Sequence, residues 1–131
     1  MKTKWVLAGA LFAGIAIGIP GGIAIRAQQA KTPPGYVIAE VEVTDPAGMQ
    51  KYGAQVPDTL APFNHHYVIL SHNIQPLEGD PPKGGMVMIA FDSVEKAREW
   101  YDSAAYARVR PIRQSAAKSR IFIVEGLAEQ P

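Results

Sequence analysis

The chain has 131 residues, 47% apolar and 19% charged, a balance that suits one packed domain with a short extension and excludes a disordered chain. It contains no cysteine, so disulfides, cysteine zinc sites and thiol nucleophiles are excluded. The formal net charge is +1, but Lys2, Lys4 and Arg26 lie in the first 30 residues; the remainder carries 10 basic and 12 acidic side chains, net −2. A mildly acidic domain of this kind is a poor candidate for binding nucleic acid.

Residues 1–30, "MKTKWVLAGALFAGIAIGIPGGIAIRAQQA", begin with two lysines and then carry no charge until Arg26. Such a run is an export signal or an N-terminal membrane anchor. Cleavage after Ala27 fits the first reading, although Ile25 is larger than the small residue usual there. The uncharged length fits the second, being roughly the 20 residues that span a bilayer; Pro20, Gly21 and Gly22 interrupt it. Either reading places the domain outside the cytoplasm, periplasmic or held at the inner membrane with the domain on the periplasmic side, and touching membrane only through this segment. Residues 31–34 form a linker, and 35–128 the domain.

The first element, "GYVIAEVEVT", alternates: Val37, Ala39, Val41 and Val43 share one face of a strand, and Tyr36, Ile38, Glu40 and Glu42 the other. Asp45 then caps a helix whose first position is Pro46. The helix passes through Met49 and Tyr52, is broken or restarted at Pro57 and ends by Pro62. "HHYVILSHNIQPLEG" reads as a second strand weakening at Pro76, and "EGDPPKGG" as a turn. "GMVMIAFD" is a third strand, apolar on both faces and therefore central. "DSVEKAREWYDS" is a helix with Asp92 as cap and Glu95 three residues on. Ser103 caps a short second helical piece kinked by Pro111, and "RIFIVEG" is the fourth strand.

The order β-α-β-β-α-β predicts an α+β, ferredoxin-like fold: a four-stranded antiparallel sheet with two helices on one face. The other face, carrying Tyr36, Ile38 and apolar residues of the third strand, is left bare. A second copy of the same sheet is its simplest cover, which predicts a homodimer through the sheet face.

In combination, "GYVIAEVEVTDPAGMQKY", "PLEGD" and "MVMIAFDSVEKAREWYDSAAYARVRPIRQSAAKSRIFIVEG" resemble the bacterial family of domains of unknown function numbered 1330, over about Gly35 to Leu127. The resemblance implies a dimeric α/β barrel and no particular reaction. The superfamily's other members include cofactor-free monooxygenases, haem-degrading enzymes, lactone isomerases and chlorite-dismutase-like haem proteins, which is analogy at the level of fold. One departure stands out. Many family members carry "GGRYLVRGG" at the second strand; here Asn64–His72 read "NHHYVILSH", with His66 and Leu70 where those members have arginines.

The ligand-binding candidates are Tyr106, Arg113, His66, His72 and Glu40. In a regular strand His65 and His66 point to opposite faces, whereas His66 and His72 share one but lie about 20 Å apart at roughly 3.3 Å per residue. No metal site and no cofactor are therefore expected, and an axial haem ligand is the weaker reading of either histidine. Glu40 is read either as a general base buried in the dimer barrel or as the partner of Arg120 or Lys118 on the neighbouring fourth strand. Of Trp100 and Tyr101, one belongs in the core and one at its rim. Arg110 and Arg113, if the helix resumes beyond Pro111, converge beside Tyr106 as a site for a carboxylate or phosphate; the plainer reading pairs them with Glu40, Glu42 or Asp102. The function expected is binding of a small, anionic or aromatic molecule in a pocket between helices and sheet or at the barrel end. The alternatives are a cofactor-free oxygenase or isomerase, which requires a buried acid or histidine facing a pocket, and a structural or haem-binding dimer. No G-x-S-x-G, phosphate-binding glycine loop or internal repeat is present.

Overall fold

The computed structural model describes residues 32–129, so the reading of the leader lies outside them. The elements follow the order β1 (Gly35–Val43), α1 (Pro46–Leu60), β2 (His65–Ser71), β3 (Gly85–Phe91), α2 (Val94–Tyr101), α3 (Ala104–Ala116) and β4 (Ala117–Glu125). The sheet is antiparallel throughout, in the order β2-β3-β1-β4. This is the ferredoxin-like arrangement, its second helical segment divided into two.

Strand parity positions everything else. Val37, Ala39 and Val41 of β1 are buried under the helices, while Tyr36, Ile38 and Glu40 are half-buried on the opposite face. The core joins Val37, Ile89 and Phe91 of the sheet to Val56 and Leu60 of α1, Ala97 and Trp100 of α2, and Tyr106 and Val109 of α3. Trp100 is in the core, as one of the aromatic pair had to be, and its indole N–H donates to Thr59 Oγ1 at 3.0 Å. Tyr101 takes the rim. On the bare face the register sets Tyr36 beside Val124 and Ala90, and Ile38 beside Phe122 and Met88.

Five local expectations need correction. Pro57 does not break α1, which continues to Leu60; burial of Val56, Thr59 and Leu60 beyond it holds the last turn, though the Gly53 carbonyl loses its usual donor four residues on. Asp45 occupies the cap position of α1 but makes no side-chain capping bond. The cap of α2 is Ser93, whose hydroxyl accepts from the Lys96 N–H at 3.1 Å; Asp92 instead accepts from Asn64 at 2.7 Å. The helix capped by Ser103 is not short but runs 13 residues through Pro111.

The fifth correction moves a candidate residue. The register between β2 and β3 shifts at Tyr67 and Ile69, so that Val68 is an extra residue in β2. A bulge of one residue reverses side-chain parity beyond it. His66, opposite Ala90, therefore stays on the bare face, and His72 turns to the helix side. The two do not share a face.

Candidate functional site

Between the sheet and the helices lies a cavity of about 330 Å³, open on one side. Its walls are apolar: Val37, Ala39 and Val41 of β1, Val87 and Ile89 of β3, Met49 and Val56 of α1. The polar groups that line it are few. They include the phenols of Tyr52, Tyr67, Tyr101 and Tyr106, the guanidinium of Arg113, the Ser71 hydroxyl and, among the exposed lining residues, His72.

Helical spacing assembles the polar end. Met49, Tyr52 and Val56 recur at three and four residues along α1, which brings the Tyr52 phenol to the inner face. On α3, Tyr106, Val109 and Arg113 recur at three and four and are all buried. The two helices meet at the hydroxyls of Tyr52 and Tyr106, 2.6 Å apart, and Arg113 Nε donates to Tyr106 Oη at 3.3 Å.

Arg113 is 5% exposed and has no ion-pair partner among the described residues. Burial works against its charge, but the hydrogen bond to Tyr106 and the nearby Tyr52 and Tyr101 more than offset this and raise its pKa. It stays a cation. Burial, followed by the proximity of Tyr106, pushes the Tyr52 phenol far above its ordinary 10.0, so that it keeps its proton. Tyr67 is shifted upward by the same two causes. Because a guanidinium can only donate, Tyr106 Oη must accept from it. When Tyr106 in turn donates to Tyr52, the Tyr52 proton is left for a group in the cavity.

The other candidates separate. Arg110 and Arg113 meet Tyr106 at different ends: the Arg110 guanidinium lies 4.4 Å over the Tyr101 ring and 5.3 Å from that of Tyr106, and donates to the Tyr101 carbonyl. It fastens α3 to the end of α2. Glu40 is on the bare face, bonded to Arg120 at 2.8 Å, so the cross-strand pairing holds and the carboxylate does not face the cavity. His66 is exposed on that same face. His65 hydrogen-bonds the Phe63 carbonyl through Nδ1 at 2.8 Å. His72 lies against Gly85: a Cβ there would come within 2.8 Å of its Nδ1 and Cε1. Among the described residues no three of His, Asp and Glu form a metal-binding group.

Tyr106, Arg113 and His72 thus line one cavity, and His66 and Glu40 stand on the opposite face of the sheet. Sequence reasoning missed Tyr52 and Tyr67. The spacing of Tyr52 from Met49 and Val56 was the available signal for the first; Tyr67, two residues from His65 on an alternating strand, had only its parity.

Residues 34–127 match the family model described as domain of unknown function DUF1330. The chain belongs to the DUF1330 family. Among solved structures, this DUF1330 chain is similar to methylated RPA0582, a protein of unknown function from Rhodopseudomonas palustris, at 15% identity and a TM-score of 0.59 over 84% of this chain and 93% of that one. It is similar to SnoaB, a cofactor-independent oxygenase from Streptomyces nogalater, at 12% identity and 0.53 over 76% and 97%. A dimeric ferredoxin-like protein of unknown function from Thermobifida fusca matches at 12% and 0.51 over 74% and 94%. At these identities the likeness is one of fold. No curated protein matches the chain.

Proposed function

We propose that this DUF1330 protein binds a small molecule with an anionic head and an apolar body in the cavity between sheet and helices. The observation that carries the reading is Arg113, a buried cation that donates to a phenol and meets no carboxylate among the described residues. Burying an unpaired charge costs several kcal/mol, so a fold that keeps one in an open cavity is suited to receive its counter-ion from outside. The planar guanidinium favours a carboxylate, and whichever of Tyr52 and Tyr106 accepts in their mutual hydrogen bond keeps a phenol proton as a second donor.

The test is calorimetric titration of the purified protein with benzoate, phenylacetate and the matching amides. The carboxylates should bind and the isosteric amides should not, and Arg113→Met should abolish carboxylate binding. Equal binding of the amides, or binding unaffected by Arg113→Met, would refute the reading.

Two further features belong to the same proposal. A homodimer through the bare face is supported by the apolar row of Ile38, Met88, Phe122 and Val124 and by the dimeric neighbour from Thermobifida fusca. Delivery outside the cytoplasm is supported by the charge pattern of residues 1–30.

A second reading, cofactor-free oxygenase or isomerase chemistry, has its own observation: His72, exposed rather than buried, lines the cavity and offers an imidazole that can accept a proton. The fold shared with SnoaB is consistent with it. Turnover lost in His72→Gln with ligand binding retained would favour this reading over simple binding.

A further inference from the structure

Gly53 lies inside α1, where glycine weakens a helix relative to alanine. Two reasons ordinarily excuse such a residue, and neither applies. Its φ is not positive, and a Cβ built on it meets no atom within 4 Å. Packing and backbone conformation would both accept a side chain. Yet Gly53 lines the cavity and is exposed, as are Tyr67, Leu70 and His72 across from it on and beyond β2. These four mark the opening. Leu70 is 72% exposed and Tyr67 44%, an apolar rim that no other described residue covers. The missing side chain of Gly85 gives the His72 ring its room against β3. The cavity itself, at about 330 Å³, is at the low end for ligand pockets.

Building on the carboxylate reading of Arg113, we infer that the ligand is an elongated carboxylate whose apolar tail leaves the cavity between Gly53 and His72 and lies on Leu70 and Tyr67. The head bonds Arg113 and Tyr52, the first part of the chain fills the apolar interior, and the remainder crosses the mouth. Gly53 then determines specificity: its missing side chain is the space the tail passes through.

The experiment measures the affinity of butanoate, octanoate and dodecanoate, each below its micelle-forming concentration, for the wild-type protein and for Gly53→Ala, Gly53→Trp and Arg113→Met. In the wild type, each methylene that finds apolar surface should tighten binding by up to about fourfold, and the gain should continue from octanoate to dodecanoate. Gly53→Trp should remove the dodecanoate advantage by tenfold or more and leave butanoate within about twofold. Gly53→Ala, which places a side chain in open space within a helix, should raise Tm by about 2–8 °C, so that loss of long-chain binding in Gly53→Trp is not attributable to a helix that needs glycine. Affinity that stops rising at octanoate, or dodecanoate binding indifferent to Gly53→Trp, overturns this inference while leaving the carboxylate site standing. Absence of binding at every length, or binding that survives Arg113→Met, overturns both.

Discussion

Replacing Arg113 with methionine separates a ligand-binding cation from a structural one. In a structural ion pair, removing one partner strands the other and costs about 3–5 kcal/mol. Arg113 has no such partner among the described residues. The substitution removes one hydrogen bond, Nε to Tyr106 at 3.3 Å, worth about 1.5–3 kcal/mol for a charged donor. It strands nothing, because the Tyr106 hydroxyl keeps Tyr52 at 2.6 Å. Against that loss stands the relief of desolvating a guanidinium that is 5% exposed, several kcal/mol even after relaxation. Methionine also fills much of the same volume and suits the apolar walls. The balance predicts a protein without ligand that is unchanged to about 2 kcal/mol more stable. For a domain of this size, each kcal/mol raises Tm by roughly 4–8 °C. Urea unfolding of the wild type and of Arg113→Met at neutral pH, followed by tryptophan fluorescence, reads the difference. A loss of 3 kcal/mol or more, the cost of breaking a buried pair, would mean that a carboxylate faces Arg113 after all, and the argument for an incoming anion would fail.

Three other predictions follow from the same contacts. Ser93→Ala should lower stability by about 0.5–2 kcal/mol through loss of the cap of α2, and Asp92→Ala, which removes only an exposed bond to Asn64, should do less; chemical denaturation of both variants tests the assignment of the cap. Gly84 has φ +75, and a side chain there would collide with the Val41 carbonyl, so Gly84→Ala should destabilise by more than about 2 kcal/mol or prevent accumulation of folded protein, read by circular dichroism. Because burial raises the pKa of the Tyr52 phenol, the native state holds its proton where the unfolded chain releases it. That contribution to stability is complete below pH 10.0 and is lost as the pH rises from there toward the raised native value; Tyr52→Phe should flatten this alkaline decline, and an unchanged decline would contradict the assignment.

How far the sequence could be read depended on whether a feature is local. The two faces of β1 follow from the alternation of Val37, Ala39 and Val41 with Tyr36, Ile38 and Glu40, and this fixed in advance which face would pack on helices. The pairing of Glu40 with Arg120 followed from topology, since β1 and β4 are neighbours in this fold. The position of His72 was not legible. Tyr67, Val68 and Ile69 are all ordinary strand residues, and nothing in them announces the bulge that reverses parity before His72. Nor could Pro57 be placed within a continuous helix, because the burial that outweighs its missing N–H belongs to the sheet beneath Val56 and Leu60. Tyr52 is the clearest case. Its meaning lies in the 2.6 Å contact with a residue 54 positions away, and one helix considered alone contains no trace of that.

Arg113 and Arg120 lie seven positions apart, one on the last turn of α3 and one on β4, and their fates are opposite. Arg120 stands on the bare face of the sheet, 73% exposed by its side chain, with the Glu40 carboxylate directly across the strand pair. Arg113 comes from the helix above the other face, where the β1 residues that approach are Val37, Ala39 and Val41. The alternation that builds a dry core under the helices thus sends both acids of β1 to the opposite side of the sheet. Any cation admitted to the helix side is then left without a carboxylate from β1, and the phenols of Tyr52 and Tyr106 can orient the guanidinium without neutralising it. Packing and charge separation have one origin in this fold, and the anion binding proposed for the cavity rests on the same strand pattern that stabilises the domain.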